Sequence, residues 1–246
     1  MPRLLLINPN TSEAVSALLM RHAQAALGPK AEVEVVTARF GAPYIACEAS
    51  FAVAGHAVLD AWAAACAEVQ TQCKAPFDAV LIACFGDPGL LALRQICPLP
   101  VTGLAEAAFF TAAQQGPFAV VTGGAAWGPM LLRLAHSLGY GESLSAVHTV
   151  AASGAELARD PAAAHALLGK ACQSVALDSG AQSVILGGAG LAGMAQAVQA
   201  QVPIPVIDSV LAGVQHALGL CGTPVHIQAA SPAWTGVSPE LAALGA

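Results

Sequence analysis

The residue best placed to carry chemistry is Cys84, within Ile82-Ala83-Cys84-Phe85-Gly86-Asp87-Pro88-Gly89. An apolar, strand-like run precedes it and a Gly- and Pro-punctuated turn follows, so the thiol falls at the carboxyl end of a strand. A cysteine in apolar surroundings is ordinarily a small buried hydrophobe. At a strand end it can react if its pKa is lowered, and a helix start after the loop favours the thiolate. Asp87 would oppose that ionisation if close, and is read as a cap on a helix beginning near Pro88 rather than as a reacting group. Three other segments share the same character: Asn8-Pro9-Asn10-Thr11-Ser12, Thr122-Gly123-Gly124-Ala125 and Gly187-Gly188-Ala189-Gly190. Asn8, Asn10 and Thr11 suit turns and caps, and with Thr122 they are candidates to touch a ligand. The amides of Phe85, Gly86, Gly123, Gly124, Ala189 and Gly190 are candidate donors to a carboxylate or enolate oxygen.

These segments must be held by a repeated framework. Strand-length apolar runs at 4–7, 32–38, 79–83, 119–122, 183–186 and 205–207 alternate with longer helical patterns, the signature of a parallel α/β sheet. Asn10 and Glu13 are read as a capping-box-like pair opening the first helix, which runs to Gly28-Pro29. Asp78–Gly86 aligns without gaps on Gln182–Gly190, 104 residues later. Each is followed by a Pro-x-Pro-Val strand, at Pro98–Val101 and Pro203–Val206, and then by an Ala-rich helix. A repeat of about 105 to 114 residues is too long for a solenoid unit and suits a duplicated α/β domain. The expected fold is therefore two pseudo-symmetric, Rossmann-like (flavodoxin-like) halves, each a mostly parallel sheet flanked by helices. Residues 1–100 with 208–246 form one lobe and residues 101–207 the other. The carboxyl ends of both sets of strands then face one cleft, where such sheets bind ligands.

Composition excludes several classes. With 56% hydrophobic and 10% charged side chains in 246 residues, the chain has material for a large core. No apolar stretch is read as long enough to cross a bilayer, and Leu4–Ile7 is too short for a signal-peptide core, so no membrane partner and a cytoplasmic location are expected. A net charge of −6 with scattered Lys and Arg provides no basic stripe for nucleic acid. Seven cysteines without CxxC spacing argue against a disulfide scaffold, and seven histidines without ligand spacing give a metal site no support. Trp62, Cys66, Val69 and Cys73 fall on one helix face, a packing stripe.

The segments Ile7–Ser12, Ile82–Leu90, Gly103–Ala108, Val121-Thr122, Leu186–Leu191 and Pro205–Asp208 occur in the order of the Asp/Glu/hydantoin racemase superfamily. The chain resembles in particular its hydantoin and allantoin racemases. The resemblance covers nearly the whole chain. It implies a cofactor-independent racemase or epimerase acting on an amino acid, a hydantoin or a related small carbonyl compound, with a small-molecule carboxylate or hydantoin as its partner. It also implies an assembly of like chains. In such enzymes two cysteines flank the stereocentre, one removing a proton as thiolate and the other returning one as thiol. Cys84 matches the first of them. Ile45, after Gly41-Ala42-Pro43, matches a residue lying over the substrate, and reads equally well as core.

The resemblance breaks at the second cysteine, whose position is occupied by Gly188. Three explanations stay open. Another group, such as Cys47, Glu48, Asp87, a histidine or an ordered water, serves the second face. Alternatively the enzyme uses one acid only, as the arylmalonate decarboxylase branch does with a single cysteine, there the opposite one, and is a decarboxylase or lyase. In the third case, the chain is a small-acid binding protein that kept the cleft and lost turnover.

Overall fold

The computed structural model describes residues 1–152, 156–157, 160–225 and 233–244. The Leu4–Ile7 run is apolar at every position because β1 (Arg3–Asn8) is an interior strand, buried on both faces. It pairs in parallel with β2 (Glu32–Thr37) on one side and β3 (Ala79–Ile82) on the other, and β3 pairs with β4 (Val101–Gly103). The second sheet repeats the plan. There β5 (Phe118–Gly123) lies between β6 (Leu144–Val150) and β7 (Ser183–Gly187), with β8 (Val206–Asp208) beyond β7. The strand orders, β2-β1-β3-β4 and β6-β5-β7-β8, are identical, so the internal repeat is a repeat of topology.

Helices connect the strands in the right order for crossovers: α1 (Glu13–Leu27), α2 (Glu48–Thr71), α3 (Leu90–Ile96) and α4 (Leu104–Ala113) in the first half. The second half has α5 (Trp127–Ser137), α6 (Pro161–Asp178), α7 (Met194–Val198) and α8 (Ser209–Leu220), and α9 (Pro239–Ala243) follows. Period-two alternation sorts the strand side chains into separate cores. Leu5, Ile7, Val80 and Ile82 meet α2 and α3 on the outer face of the first sheet. Ala119, Val121, Val184 and Leu186 meet α6 and α7 on the outer face of the second. Leu4, Leu6, Leu81, Val120, Ile185 and Ile207 point inward to a central core shared by both halves. The fourth helices fill that core reciprocally, since α4 packs on β7 as well as β4, α8 on β3 as well as β8, and the two on each other.

Three expectations need correction. The chain does not leave the first sheet at Pro100, because Val101–Gly103 continues it as β4; the crossing comes after Gly103. At the other boundary Asp208 closes β8 of the second sheet, while α8 returns to the first; residues 226–232 and 245–246 of that expected segment lie outside the described ones. By length and composition α2 is long and apolar enough to cross a membrane, contrary to the sequence reading. Its face bearing Val58, Trp62 and Ala65 is packed in the outer core instead. The stripe continues with Cys66 and Val69, which pack there too, whereas Cys73 lies beyond the helix and is exposed. Strand β6 carried no sequence signal of its own. It is an edge strand with alternating, half-buried residues.

Candidate active site

Between the carboxyl ends of the two sheets lies a cavity of about 350 Å³, within the range of small-molecule sites. Cys84 lines it from the first sheet. The β3 ladder extends through Ala83, whose amide reaches the Ile7 carbonyl at 2.8 Å, and the chain then turns sharply as the Asp87 amide donates to the Cys84 carbonyl at 3.1 Å. Gly86, Asp87 and Gly89 take positive φ values of 134°, 53° and 78° to complete the turn.

The Asp87 side chain does not cap the helix that follows it. Its carboxylate accepts hydrogen bonds from the amides of Ala105 (2.9 Å) and Glu106 (2.8 Å), capping α4 instead. A Cβ at Gly103 would stand 2.1 Å from that carboxyl carbon, which is why glycine opens α4. Burial pushes the Asp87 carboxyl up to about 7, against the pull of its two amide donors; Glu106 raises it further and Arg94 lowers it. Cys84 is 8% exposed. Burial first, and the charge of Asp87 second, push its thiol well above the ordinary range. This reverses the expected lowering: α3 begins only at Leu90, beyond the turn, and the sulfur sits among apolar groups.

Of the other residues singled out from sequence, Asn10, Ile45, Phe85, Thr122, Gly123, Gly188, Ala189 and Gly190 line the cavity with Cys84. Asn8, Thr11, Gly86 and Gly124 do not. Asn8 is fully buried and braces the first loop, its Nδ2 donating to the Ser12 carbonyl (3.1 Å) and to Ser16 Oγ (3.0 Å). Asn10 accepts from the Ser12 amide at 2.9 Å, an Asx turn, and Glu13 instead accepts from Thr37, so the expected capping pair does not form. The Thr11 amide ties the loop to the Ala42 carbonyl at 3.1 Å. One candidate donor is already engaged, Gly124 N with the Val150 carbonyl (2.9 Å), and Gly188 N is taken by Ser209 Oγ (3.2 Å). Thr122 Oγ1 donates to the Gly187 carbonyl at 2.8 Å, which binds neighbouring strands together at the cavity floor.

Ser12, from the first of the loops expected at the cleft, completes much of the wall with Val15, Leu18, Tyr44, Trp127 and Leu191, none of which is among the site residues expected from sequence. Two aromatics interlock across the cleft. The Phe85 ring lies where a Cβ on Gly187 would be, 2.2 Å from that point, and the Trp127 ring lies 2.3 Å from the Cβ position of Gly86. The glycines were visible in sequence, but their partners stand on the opposite lobe. Tyr44 reaches across as well, its hydroxyl donating to the Gly123 carbonyl at 3.3 Å.

No side chain fills the position of Gly188, which takes φ 147°. A Cβ there would meet Leu191 at 3.3 Å. The side chains considered as substitutes lie elsewhere. Cys47 and Glu48 are exposed at the start of α2, Cys47 bonded to Ser50 and Glu48 paired with Arg133 at 2.8 Å, and neither lines the cavity. Asp87 is committed to α4. Among the described residues lining the cavity there is no Lys, Arg, His, Asp or Glu, and the titratable side chains are those of Cys84 and Tyr44. Among the described residues no cluster of three His, Cys, Asp or Glu could hold a metal ion.

The family model described as Asp/Glu/Hydantoin racemase matches residues 4–217. A hydantoin racemase from Paenarthrobacter aurescens is 30% identical over 223 residues, covering 89% of this chain and 90% of its own. The solved allantoin racemase from Klebsiella pneumoniae superposes with a TM-score of 0.85 at 30% identity, covering 98% of this chain and 99% of that one. An arylmalonate decarboxylase structure shares the fold at a TM-score of 0.61 and 20% identity, over 90% of this chain and 93% of its own.

Proposed function

The chain belongs to the Asp/Glu/hydantoin racemase family, and from that premise we propose that it inverts, without a cofactor, the acidic stereocentre of a 5-substituted hydantoin or a similar cyclic ureide, with Cys84 transferring the proton on one face. One observation carries this reading: Cys84 is on the wall of a cavity that has no charged side chain among its described lining residues. An amino acid would bring a carboxylate and an ammonium group into that cavity with no counter-ion, at a cost of several kcal/mol per unpaired charge. A neutral ring with amide-like edges does not carry that penalty.

The walls divide accordingly. Val15, Leu18, Ile45, Trp127 and Leu191 offer apolar surface to a ring substituent. Asn10, Ser12 and the amides of Phe85, Ala189 and Gly190 serve the polar edge and the oxygen that becomes negative when the carbon loses its proton. A hydrogen next to a hydantoin carbonyl leaves as a proton because its electron pair spreads onto that oxygen, so oriented donors and one proton carrier suffice. Burial favours Cys84 as a thiol, the form that gives a proton to an enolate, and removal of a proton draws on the minor thiolate fraction.

The bare backbone at Gly188 favours a second reading, a lyase that uses Cys84 alone to protonate an enolate left by loss of carbon dioxide. Chiral chromatography of D- and L-5-benzylhydantoin, with D-glutamate and phenylmalonate in parallel, tests both. Interconversion of the hydantoin enantiomers is expected. Turnover of glutamate but not hydantoin contradicts the substrate argument, and release of carbon dioxide from phenylmalonate without any interconversion selects the lyase.

A further inference from the structure

Inversion at carbon needs proton carriers on both faces, and Gly188 leaves one face without the side chain that its position would supply. A hydroxyl nevertheless stands on the second-lobe wall of the same cavity. Thr122 on β5 is the register partner of Gly187 on β7, so Gly123 and Gly188 each follow directly on a paired residue, and both line the cavity. The Tyr44 hydroxyl sits 3.3 Å from the Gly123 carbonyl oxygen. Gly124 makes room for it, since a Cβ there would be 2.9 Å from that hydroxyl. Tyr44 starts from the first lobe, on the segment held by the Thr11–Ala42 bond, yet its polar end stands on the second-lobe wall. Cys84 stands on the first-lobe wall of the same cavity.

We propose that Tyr44 is the second proton carrier, its phenol serving the face of the stereocentre opposite Cys84 in place of the side chain that Gly188 lacks. The proposal rests on the racemase reading above. In one direction the Cys84 thiolate takes the hydrogen as a proton and the C–H electron pair passes onto the carbonyl oxygen. The Tyr44 O–H then delivers its proton to the other face as the pair returns to carbon, leaving a thiol and a phenolate. The opposite enantiomer starts from that thiol and phenolate and restores the thiolate and phenol, so no proton is gained or lost overall.

The test separates exchange from inversion. Each enantiomer of 5-benzylhydantoin is incubated in D2O with the wild-type chain and with Tyr44→Phe, and proton NMR and chiral chromatography are read together. For Tyr44→Phe the expected result is deuterium wash-in with retention, from the enantiomer whose hydrogen faces Cys84, within about tenfold of the wild-type rate. Inversion should fall by at least about 10²-fold, the low end of the contribution of one positioned acid or base. Tyr44→His, which returns a titratable group, should recover part of the inversion. Wild-type inversion rates in Tyr44→Phe overturn the proposal, and so does equal loss of exchange and inversion in a variant that melts like wild type, because that makes Tyr44 a wall of the site only. A wild-type chain inert toward both enantiomers overturns the racemase reading and Tyr44's role with it.

Discussion

Asp87→Asn probes the electrostatics behind the reactive thiol. Burial holds the Asp87 carboxyl at about 7 in the folded chain against an ordinary value of 3.8. Between those values the folded chain keeps a proton that the unfolded chain releases. The stability this gives is fully present below about pH 4 and is lost as pH rises through 7. The difference corresponds to about 4 kcal/mol, or roughly 8 to 16 °C in Tm for a chain of this size. Asparagine fits the same space between Gly103 and the start of α4 but cannot ionise. Melting both proteins across pH 4 to 8 should therefore show the variant gaining on wild type by that amount as pH rises, with contributions from all other groups cancelling in the difference. A gap independent of pH refutes the reasoning. A gap that moves the other way shows that the amide bonds from Ala105 and Glu106 outweigh the cost of burying the charge.

Other consequences follow from the packing and the thiols. Gly187→Ala puts a methyl group into the Phe85 ring and should cost about 1 to 3 kcal/mol, read as a lower Tm together with slower inversion, since Phe85 adjoins Cys84. Iodoacetamide at pH 8 should label Cys47 before Cys84, because Cys47 is exposed with its thiol lowered by hydrogen bonds from Ser50, whereas burial raises Cys84; peptide mass spectrometry giving the reverse order would contradict the buried position. Gly188→Cys needs the Leu191 side chain to give by a few tenths of an ångström and must hold a positive φ, at a cost of about 1 to 3 kcal/mol. It should fold with a lowered Tm and restore inversion to a Tyr44→Phe background, and a folded double variant without inversion would show that a thiol there does not face the ligand.

Much of this arrangement is legible in the sequence because it lies within single strands and the turns after them. The ungapped match of Asp78–Gly86 to Gln182–Gly190 becomes equivalent strands β3 and β7 in two sheets of identical order, and the Cys84, Thr122 and Gly188 turns meet at one cavity. What escaped depends on contacts across the cleft. That Asp87 caps α4 rather than α3 depends on where β4 ends. That Gly86 and Gly187 are glycines depends on Trp127 and Phe85, each on the opposite lobe. Tyr44 lies outside every motif, and only the folded path of the 41–46 segment brings its hydroxyl to Gly123. The Cys84 thiol is raised rather than lowered because burial and then the charge of Asp87 act on it, while the helix start expected beside the sulfur lies beyond the turn through Gly89.

The most direct test of the account is the exchange of the C5 hydrogen of the 5-benzylhydantoin enantiomer that Tyr44→Phe still exchanges, in D2O, followed by proton NMR with wild type and Cys84→Ser. Wild type should wash deuterium into the substrate, and the variant, folded and melting as wild type does, should be slower by about 10² to 10⁴-fold, the usual contribution of one positioned proton carrier. Exchange by Cys84→Ser within tenfold of wild type would contradict it, since the proton would then be travelling through some other group.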